Sequence, residues 1–330
     1  MLSRVAESAF WAGRYLERAE GTARLVKTTS DLIVDLPRAA NVSWNSLLAL
    51  VGIDEPEVPL LDDATSGAEL GASTVDRRAL EAAIVHRLTA DADNPSSVRR
   101  SVASVHHNLR VTRAVMPIEA AEILTDLHNR VEVTVRSAVP RSTRGRWLSE
   151  VIRGCQTLSG VLAETMNHDD AFCFFTVGRQ LERADLTTRV LDVQFAALTG
   201  AGEGEVEAYA EIVWAAALRS VSALQAFRRG ARVSSGPATV GFLLGDPKCP
   251  RTVSACLTEA SRWLLEIPGH EQAIAASARA ERMVLDAVPA EILGDGSLHD
   301  FAHTLQQAIG EVHEEVARTW FSPIPAEVAG

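Results

Sequence analysis

The sequence predicts an all-α fold, an internally duplicated helical bundle whose two pseudo-symmetric halves pack as one body. Three observations carry that expectation. Helical period runs through almost every segment, and β-branched alternation is nearly absent. Residues 13–24, Gly-Arg-Tyr-Leu-Glu-Arg-Ala-Glu-Gly-Thr-Ala-Arg, return as residues 178–189, Gly-Arg-Gln-Leu-Glu-Arg-Ala-Asp-Leu-Thr-Thr-Arg, identical at eight of twelve positions. The two copies stand 165 residues apart in a chain of 330. Self-similarity at half the chain length is the mark of an internal repeat, and it sets the expected halves at 1–165 and 166–330.

Taken in order, a first long helix is expected over residues 3–36, closed by Pro37. A second, carrying Trp44, Leu47, Leu48 and Val51, ends at Gly52. Residues 53–73 hold Asp, Glu, Pro and Gly with little periodicity, the composition of a mobile acidic loop. Helix resumes near Asp76 and runs to Thr89. Asn94-Pro95 has the form of a helix start, a capping side chain followed by proline, and that helix reaches Met116. Pro117 opens the next, with Ile118, Ala121, Leu124, Leu127 and Val131. Pro140 breaks it, and a helix through Trp147, Val151, Leu158 and Leu162 completes the first half.

The second half follows the same plan. Its motif lies on a helix over 169–198, ended by the glycines at 200, 202 and 204. Trp214 sits on the next helix, as Trp44 did. Residues 230–245 are expected to form a loop with one short helical turn. Asp246-Pro247 opens a helix as Asn94-Pro95 did, which puts Arg251 in the place of Arg99. Pro268 separates it from a helix over 274–288, and a last helix runs over 298–321 into a proline-rich tail.

Composition bounds the function. A hydrophobic fraction of 47% with 23% charged residues is ordinary for a globular protein. A net charge of -11 argues against a general nucleic-acid binder. No apolar run approaches the roughly 20 residues that cross a bilayer, and Glu7, Glu17 and Glu20 are wrong for a secretory signal. Cys155, Cys173, Cys249 and Cys256 lack zinc-like spacing and read as reduced core residues. The expected setting is the cytoplasm, with no membrane and no nucleic acid as partner.

The motif makes a specific demand. On a helical wheel Ala12, Leu16, Ala19, Ala23 and Val26 share one face, matched by Val177, Leu181, Ala184, Thr188 and Leu191. The opposite sector holds Arg14, Glu17, Arg18, Glu20 and Arg24, and in the second copy Arg179, Glu182, Arg183, Asp185 and Arg189. Apolar Phe10, Trp11 and Leu25, with Phe175, Leu186 and Val190, fall in or beside that charged sector. Both helices are therefore expected to be central, with charges at least partly buried.

Glu20 to Arg24 and Asp185 to Arg189 are favourable i,i+4 pairs. Arg14 with Arg18, and Arg179 with Arg183, carry like charge at the same spacing and require an anion. Two answers stand open. Glu17 and Glu182 can each pair with arginines of the other copy, locking the halves together. Alternatively the arginines converge on a carboxylate or phosphate ligand, which guanidinium groups hold in two-point contacts.

At this point the chain resembles the bacterial alpha-E family, named for its helical character and Glu-Arg motif. The resemblance rests on Met-Leu-Ser-Arg-Val-Ala-Glu-Ser at residues 1–8 leading into Gly-Arg-x-Leu-Glu-Arg-Ala-Glu. It rests also on Thr165-Met166 before the second motif, and on Asn94-Pro95-Ser96-Ser97 with Arg113. It covers essentially the whole chain. It implies an all-helical fold and a partner among ATP-grasp-type ligases, beside or fused to which the family is encoded. Transglutaminase-like peptidases, and sometimes a proteasome-like peptidase, are further implied neighbours. The implied setting is formation or trimming of peptide or amide bonds, with the signature falling on Glu17, Arg18, Glu182 and Arg183; no catalytic mechanism comes with it.

Other chemistries are weaker. None of the nine histidines has glutamate three residues before it, which excludes a di-iron carboxylate bundle. His299 and His303 share a face without a third ligand, and His106-His107 point apart. His168-Asp169-Asp170 reads as a helix cap, with a general-acid role for His168 or Asp170 unsupported by spacing. No nucleophile elbow, Walker A loop or dinucleotide fingerprint is present, so no cofactor is assigned, and any ATP would be bound by a partner. The expected role is an accessory protein binding an ATP-grasp-type ligase or presenting a peptide-like carboxylate. The alternative is an enzyme of the same pathway using Glu17 or Glu182 as acid or base. Asn94, Arg99, Arg113, Asp246 and Arg251 are secondary motif positions.

Overall fold

The structure, a computed structural model, describes residues 3–35, 44, 47, 72–199, 206–230 and 233–321. Every described element is helical. In chain order these are α1 (Ser3–Asp35), α2 (Ala72–Thr89), α3 (Val98–Val111), α4 (Ile118–Thr134), α5 (Arg141–Thr165) and α6 (Asp170–Thr199). There follow α7 (Val206–Ser220), α8 (Leu224–Arg229), α9 (Gly236–Gly245), α10 (Val253–Leu264), α11 (Glu271–Asp286), α12 (Pro289–Gly294) and α13 (Leu298–Val316). A short 3-10 turn, Val135–Ala138, precedes α5, and a π turn, Ala317–Phe321, follows α13. Most of the expected second helix, the expected acidic loop and the proline-rich tail lie outside the described residues.

The motif helices α1 and α6 are the centre. α1 packs along α6, with α3 and α5 on its other sides; α6 is flanked in the same way by α10 and α13. The second shell is α4 against α5 and α3, and α11 against α13 and α10. The wheel face foreseen from sequence is buried throughout: Ala12, Leu16, Ala19, Ala23 and Val26, with Val177, Leu181, Ala184, Thr188 and Leu191, are each at most 1% exposed. Phe10 and Leu25, on the charged side of α1, are equally buried. Helices apolar on both sides have no solvated face, which forces them to the middle.

The closest approach of α1 and α6 is at the first glycine of each motif. A Cβ on Gly13 would stand 2.0 Å from the Phe175 carbonyl oxygen, and one on Gly178 would stand 2.1 Å from that of Phe10. Only glycine lets the two backbones meet there. Further along, a Cβ on Gly21 would strike the Leu186 side chain at 2.2 Å, so Leu186 occupies the space Gly21 leaves. Contacts advance together along both helices, Phe10 to Gly178 and Gly21 to Leu186, so α1 and α6 run parallel.

Three expectations about helices are corrected. Residues 236–245 form the helix α9 rather than a loop with one turn; Thr239, Val240, Phe242, Leu243 and Leu244 are buried, while Pro237 and Gly245 stay exposed. That burial offsets the helix cost of its glycines. The helix expected to reach Met116 ends at Val111. Asn94-Pro95 and Asp246-Pro247 do not open helices: the N-caps are Ser97 and Thr252, whose hydroxyls accept from the backbone N–H of Arg100 at 3.0 Å and Ala255 at 3.3 Å.

The loops before those caps share one bond pattern. Asp91 Oδ1 accepts from the N–H groups of Asp93 and Asn94, and Asp246 Oδ1 from those of Lys248 and Cys249. Ser97 Oγ donates to the Asp91 carbonyl, as Thr252 Oγ1 does to that of Asp246. The register therefore sets Asp91 against Asp246 and Ser96 against Arg251. The expected match of Arg251 with Arg99 is off by three residues.

Candidate functional site: a buried glutamate–arginine seam

The parallel crossing brings the two charged sectors face to face. Glu17 of α1, 1% exposed, receives Arg183 of α6 at two points, Nε on Oε1 at 3.0 Å and Nη2 on Oε2 at 2.6 Å. Arg179 adds Nε to Oε2 at 3.1 Å, and Arg251 adds Nη1 to Oε1 at 2.6 Å. In the opposite direction Glu182 of α6, 3% exposed, receives Arg18 of α1 at two points, 2.5 and 3.0 Å, and Arg14 Nε at 2.7 Å. Each central acid is thus answered by the arginines of the other helix.

Around this core the intrahelical pairs form as spacing predicts. Arg24 reaches Glu20 at 2.5 Å, and Arg189 reaches Asp185 at 2.8 Å. Glu20 also accepts from Arg251 Nη2 at 3.1 Å and from Gln156 Nε2 of α5 at 3.3 Å. The motif threonines tie in the capping loops: Thr22 donates to the Ser96 carbonyl at 3.5 Å and Thr187 to that of Arg251 at 3.2 Å. Aromatic rings back the arginines of α1, with Arg14 over Trp11 at 5.8 Å and Arg18 over Tyr15 at 5.3 Å.

Electrostatics favour the ionised acids despite burial. Desolvation pushes Glu17 up, but Arg183, Arg251 and Arg179 outweigh it and hold the carboxyl well below the usual carboxylate range. Glu182 is likewise pushed up by burial and pulled down further by Arg18 and Arg14, to about 2. Arg179 is drawn down by burial and by its neighbour Arg183. The seam gathers seven arginines, Arg14, Arg18, Arg24, Arg179, Arg183, Arg189 and Arg251, on four acids. It is a cationic core inside a chain of net charge -11.

Not every sequence candidate belongs to it. Arg99 forks onto Glu132 of α4 with contacts of 2.6 to 3.1 Å, at a half-exposed site away from the seam. Asn94 is buried in its loop, donating to the Arg87 carbonyl and accepting from the Ser96 N–H. Asp246 serves the matching loop, and Arg113 is exposed in the turn after α3. The cap of α6 is Asp169, whose Oδ1 accepts from Ala171 and Phe172; His168 stacks on Phe172 at 4.1 Å instead of meeting the arginines.

His299 pairs with Asp192 at 2.9 Å, and His106 stacks on His128 at 4.5 Å. Among the described residues no three or more His, Cys, Asp and Glu side chains gather as a metal-holding group. All four cysteines are free and buried.

Sequence reasoning missed Gln156 and a second buried ion cluster. There Glu81 of α2 accepts from Arg141 and from Arg144 of α5, the latter at 2.8 Å with both side chains about 95% buried. Arg144 also donates to the Val139 carbonyl at 2.6 Å and sits over Trp44 at 5.4 Å. The only signal for it was a lone glutamate on an apolar helix face.

With two Glu-Arg elements joined at the centre of a helical body, comparison with known proteins is decisive. The profile of the Alpha-E family, described as a predicted alpha-helical domain with a conserved ER motif, matches residues 1–321. The chain belongs to the Alpha-E family. Among curated proteins this Alpha-E chain is similar to the uncharacterized protein Mb2597 of Mycobacterium bovis and to the uncharacterized proteins MT2643 and Rv2567 of Mycobacterium tuberculosis. Each is 26% identical over 289 residues, covering 85% of this chain and 31% of the relative. The chain thus spans about a third of the length of the curated relatives it matches. No solved structure matches it. No described helix is long and apolar enough to cross a membrane.

Proposed function

We propose that this Alpha-E chain is an accessory helical module of a bacterial peptide- or amide-bond-forming system, which binds an ATP-grasp-type ligase or presents a peptide-like substrate to it. In this reading the chain arose by duplication of a half ending near residue 165, and the seam is the internal clamp between the halves. The observation that carries the clamp is the reciprocity of Glu17 and Glu182, each held by arginines of the opposite motif helix. The partner rests on the family resemblance. It is supported by relatives about three times as long, in which the matching region is one part of a larger chain.

The alternative of an enzyme using Glu17 or Glu182 as acid or base is disfavoured. A general base needs a free lone pair and a pKa near the working pH. Both oxygens of each carboxylate are already engaged, and both groups are held far below neutrality. An anion site on the outer arginines is the second reading. It is favoured by the excess of arginine over acid and by Arg14 and Arg179, which reach their glutamates through Nε alone and are 12% and 21% exposed.

The test is co-purification of the tagged chain with the ATP-grasp-type ligase encoded beside it, followed by sedimentation of the mixed pair. A stoichiometric complex supports the reading. Two species that sediment independently, with ligase activity unaltered by the chain, remove it.

A further inference from the structure

α1 and α3 leave between them a half-open groove of about 390 Å3 that the seam does not fill. One wall is aromatic: Trp11 and Tyr15 lie stacked, with centroids 5.5 Å and planes 29° apart. Trp11 is fixed from behind by Phe10 at 6.0 Å and by His313 of α13 at 5.2 Å, both edge-on. Arg14 and Arg18, anchored on Glu182, sit over these two rings. The platform is thereby held in place before any ligand arrives.

The opposite wall is one face of α3, where Arg100, Ser104, His107 and Asn108 recur at helical spacing. No described residue lining the groove is acidic, although the chain as a whole is. The Arg100 side chain is exposed and forms no ion pair with any described residue. α10, which starts from a matching cap, carries different side chains at the equivalent place. Eleven positions after its cap it carries Trp263 where α3 carries Asn108. Trp263 closes against Phe172 at 5.0 Å and His168 at 5.3 Å, both edge-on.

We propose that this groove binds a carboxylate attached to a flat ring, the ring on Trp11 and Tyr15 and the carboxylate on Arg100. Ser104 and Asn108 supply the remaining hydrogen bonds. The volume lies at the small end of the ~300–1,000 Å3 range of ligand pockets, the size for one residue-scale group. One permanently charged guanidinium matches the single charge and two oxygens of a carboxylate. The assignment deepens the substrate-presenting part of the proposed function, but its test needs no ligase, so either can fail without the other.

Calorimetric titration of the whole chain with N-acetyl-L-phenylalanine, its amide and phenyl phosphate decides it. The acid is expected to bind saturably at millimolar concentration or below, and the amide roughly tenfold more weakly. Arg100→Gln, at an exposed position, is expected to cost roughly tenfold in affinity for the acid and nothing for the amide. Asn108→Trp, which gives α3 the aromatic of α10, is expected to abolish binding; should it fail to fold, Arg100→Gln alone decides. A tripeptide ending in phenylalanine separates the two sources of such a group: tighter binding than the free amino acid assigns a peptide end, weaker binding a free acid. Equal binding of acid and amide, indifference to Arg100→Gln, preference for phenyl phosphate, or no binding of the acid at millimolar concentration would each overturn the proposal.

Discussion

Arg183 ties three parts of the molecule through one guanidinium. It forks onto Glu17 of α1 at 3.0 and 2.6 Å, and its Nη1 donates to the Pro250 carbonyl before α10 at 3.3 Å. Among the arginines of the seam it is also the most buried, with 8% of its side chain exposed.

Removing it leaves a buried carboxylate short of its main partner, so Arg183→Ala is expected to lower unfolding free energy by about 3–5 kcal/mol. Arg189→Ala breaks only an i,i+4 pair 30% exposed on the arginine side, and is expected to cost under about 0.5 kcal/mol. Urea unfolding of the two variants measures the difference. Equal and small effects would remove the clamp and favour a ligand-holding role for the arginines.

Gly13 offers a cleaner geometric test. Glycine to alanine inside a helix ordinarily stabilises by up to about 1 kcal/mol. A Cβ on Gly160 of α5 would meet no described residue within 4 Å, so Gly160→Ala is expected to show that gain. Gly13→Ala puts a methyl 2.0 Å from the Phe175 oxygen, and must push α1 off α6. A loss of about 1–3 kcal/mol or more is expected, as for an overpacked core. A stabilised Gly13→Ala variant in a melting experiment would contradict the backbone contact.

Acid should lower stability over two pH windows. The His313 ring, pushed down to about 4 by burial and by Arg14, stays neutral when folded and takes up a proton near 6.5 when unfolded. Glu182 stays ionised when folded down to about 2, and is protonated near 4.5 when unfolded. In both windows the unfolded state binds more protons, so stability falls as pH falls. His313→Phe is expected to flatten the loss between about 6.5 and 4 and to leave the loss below about 4.5 intact. The ring stacks on Phe10 at 5.1 Å and its Nδ1 has no hydrogen-bond partner among the described residues, which makes phenylalanine a fair replacement. Stability rising from pH 7 to pH 5 would be the contrary result, read by denaturation midpoints across that range.

Much of this arrangement was legible beforehand. Arg14 with Arg18 and Arg179 with Arg183 are like charges one turn apart, and an apolar environment on both sides of each helix ruled out water as their partner. Only acids from the other copy, or a ligand, could answer them, and Glu17 and Glu182 do. The same reasoning could not find Arg251 at Glu17, because it matched Asn94-Pro95 with Asp246-Pro247. The true register is set by side-chain bonds within the loops, from Asp91 to Ser97 and from Asp246 to Thr252. α9 escaped for a related reason: its less buried side carries Pro237, Ala238, Gly241 and Gly245 rather than polar residues, so its sequence lacks the contrast that betrays a helix.

Local chemistry therefore determined most of the helices, the buried faces of α1 and α6, and the need for buried anions, since each depends on residues within a turn or two. Tertiary structure alone decided which acid meets which arginine, the parallel run of α1 along α6, and the recruitment of Arg251, Gln156 and the Glu81–Arg144 pair. Those depend on distances between residues far apart in the chain, which side-chain identity constrains but packing must fix.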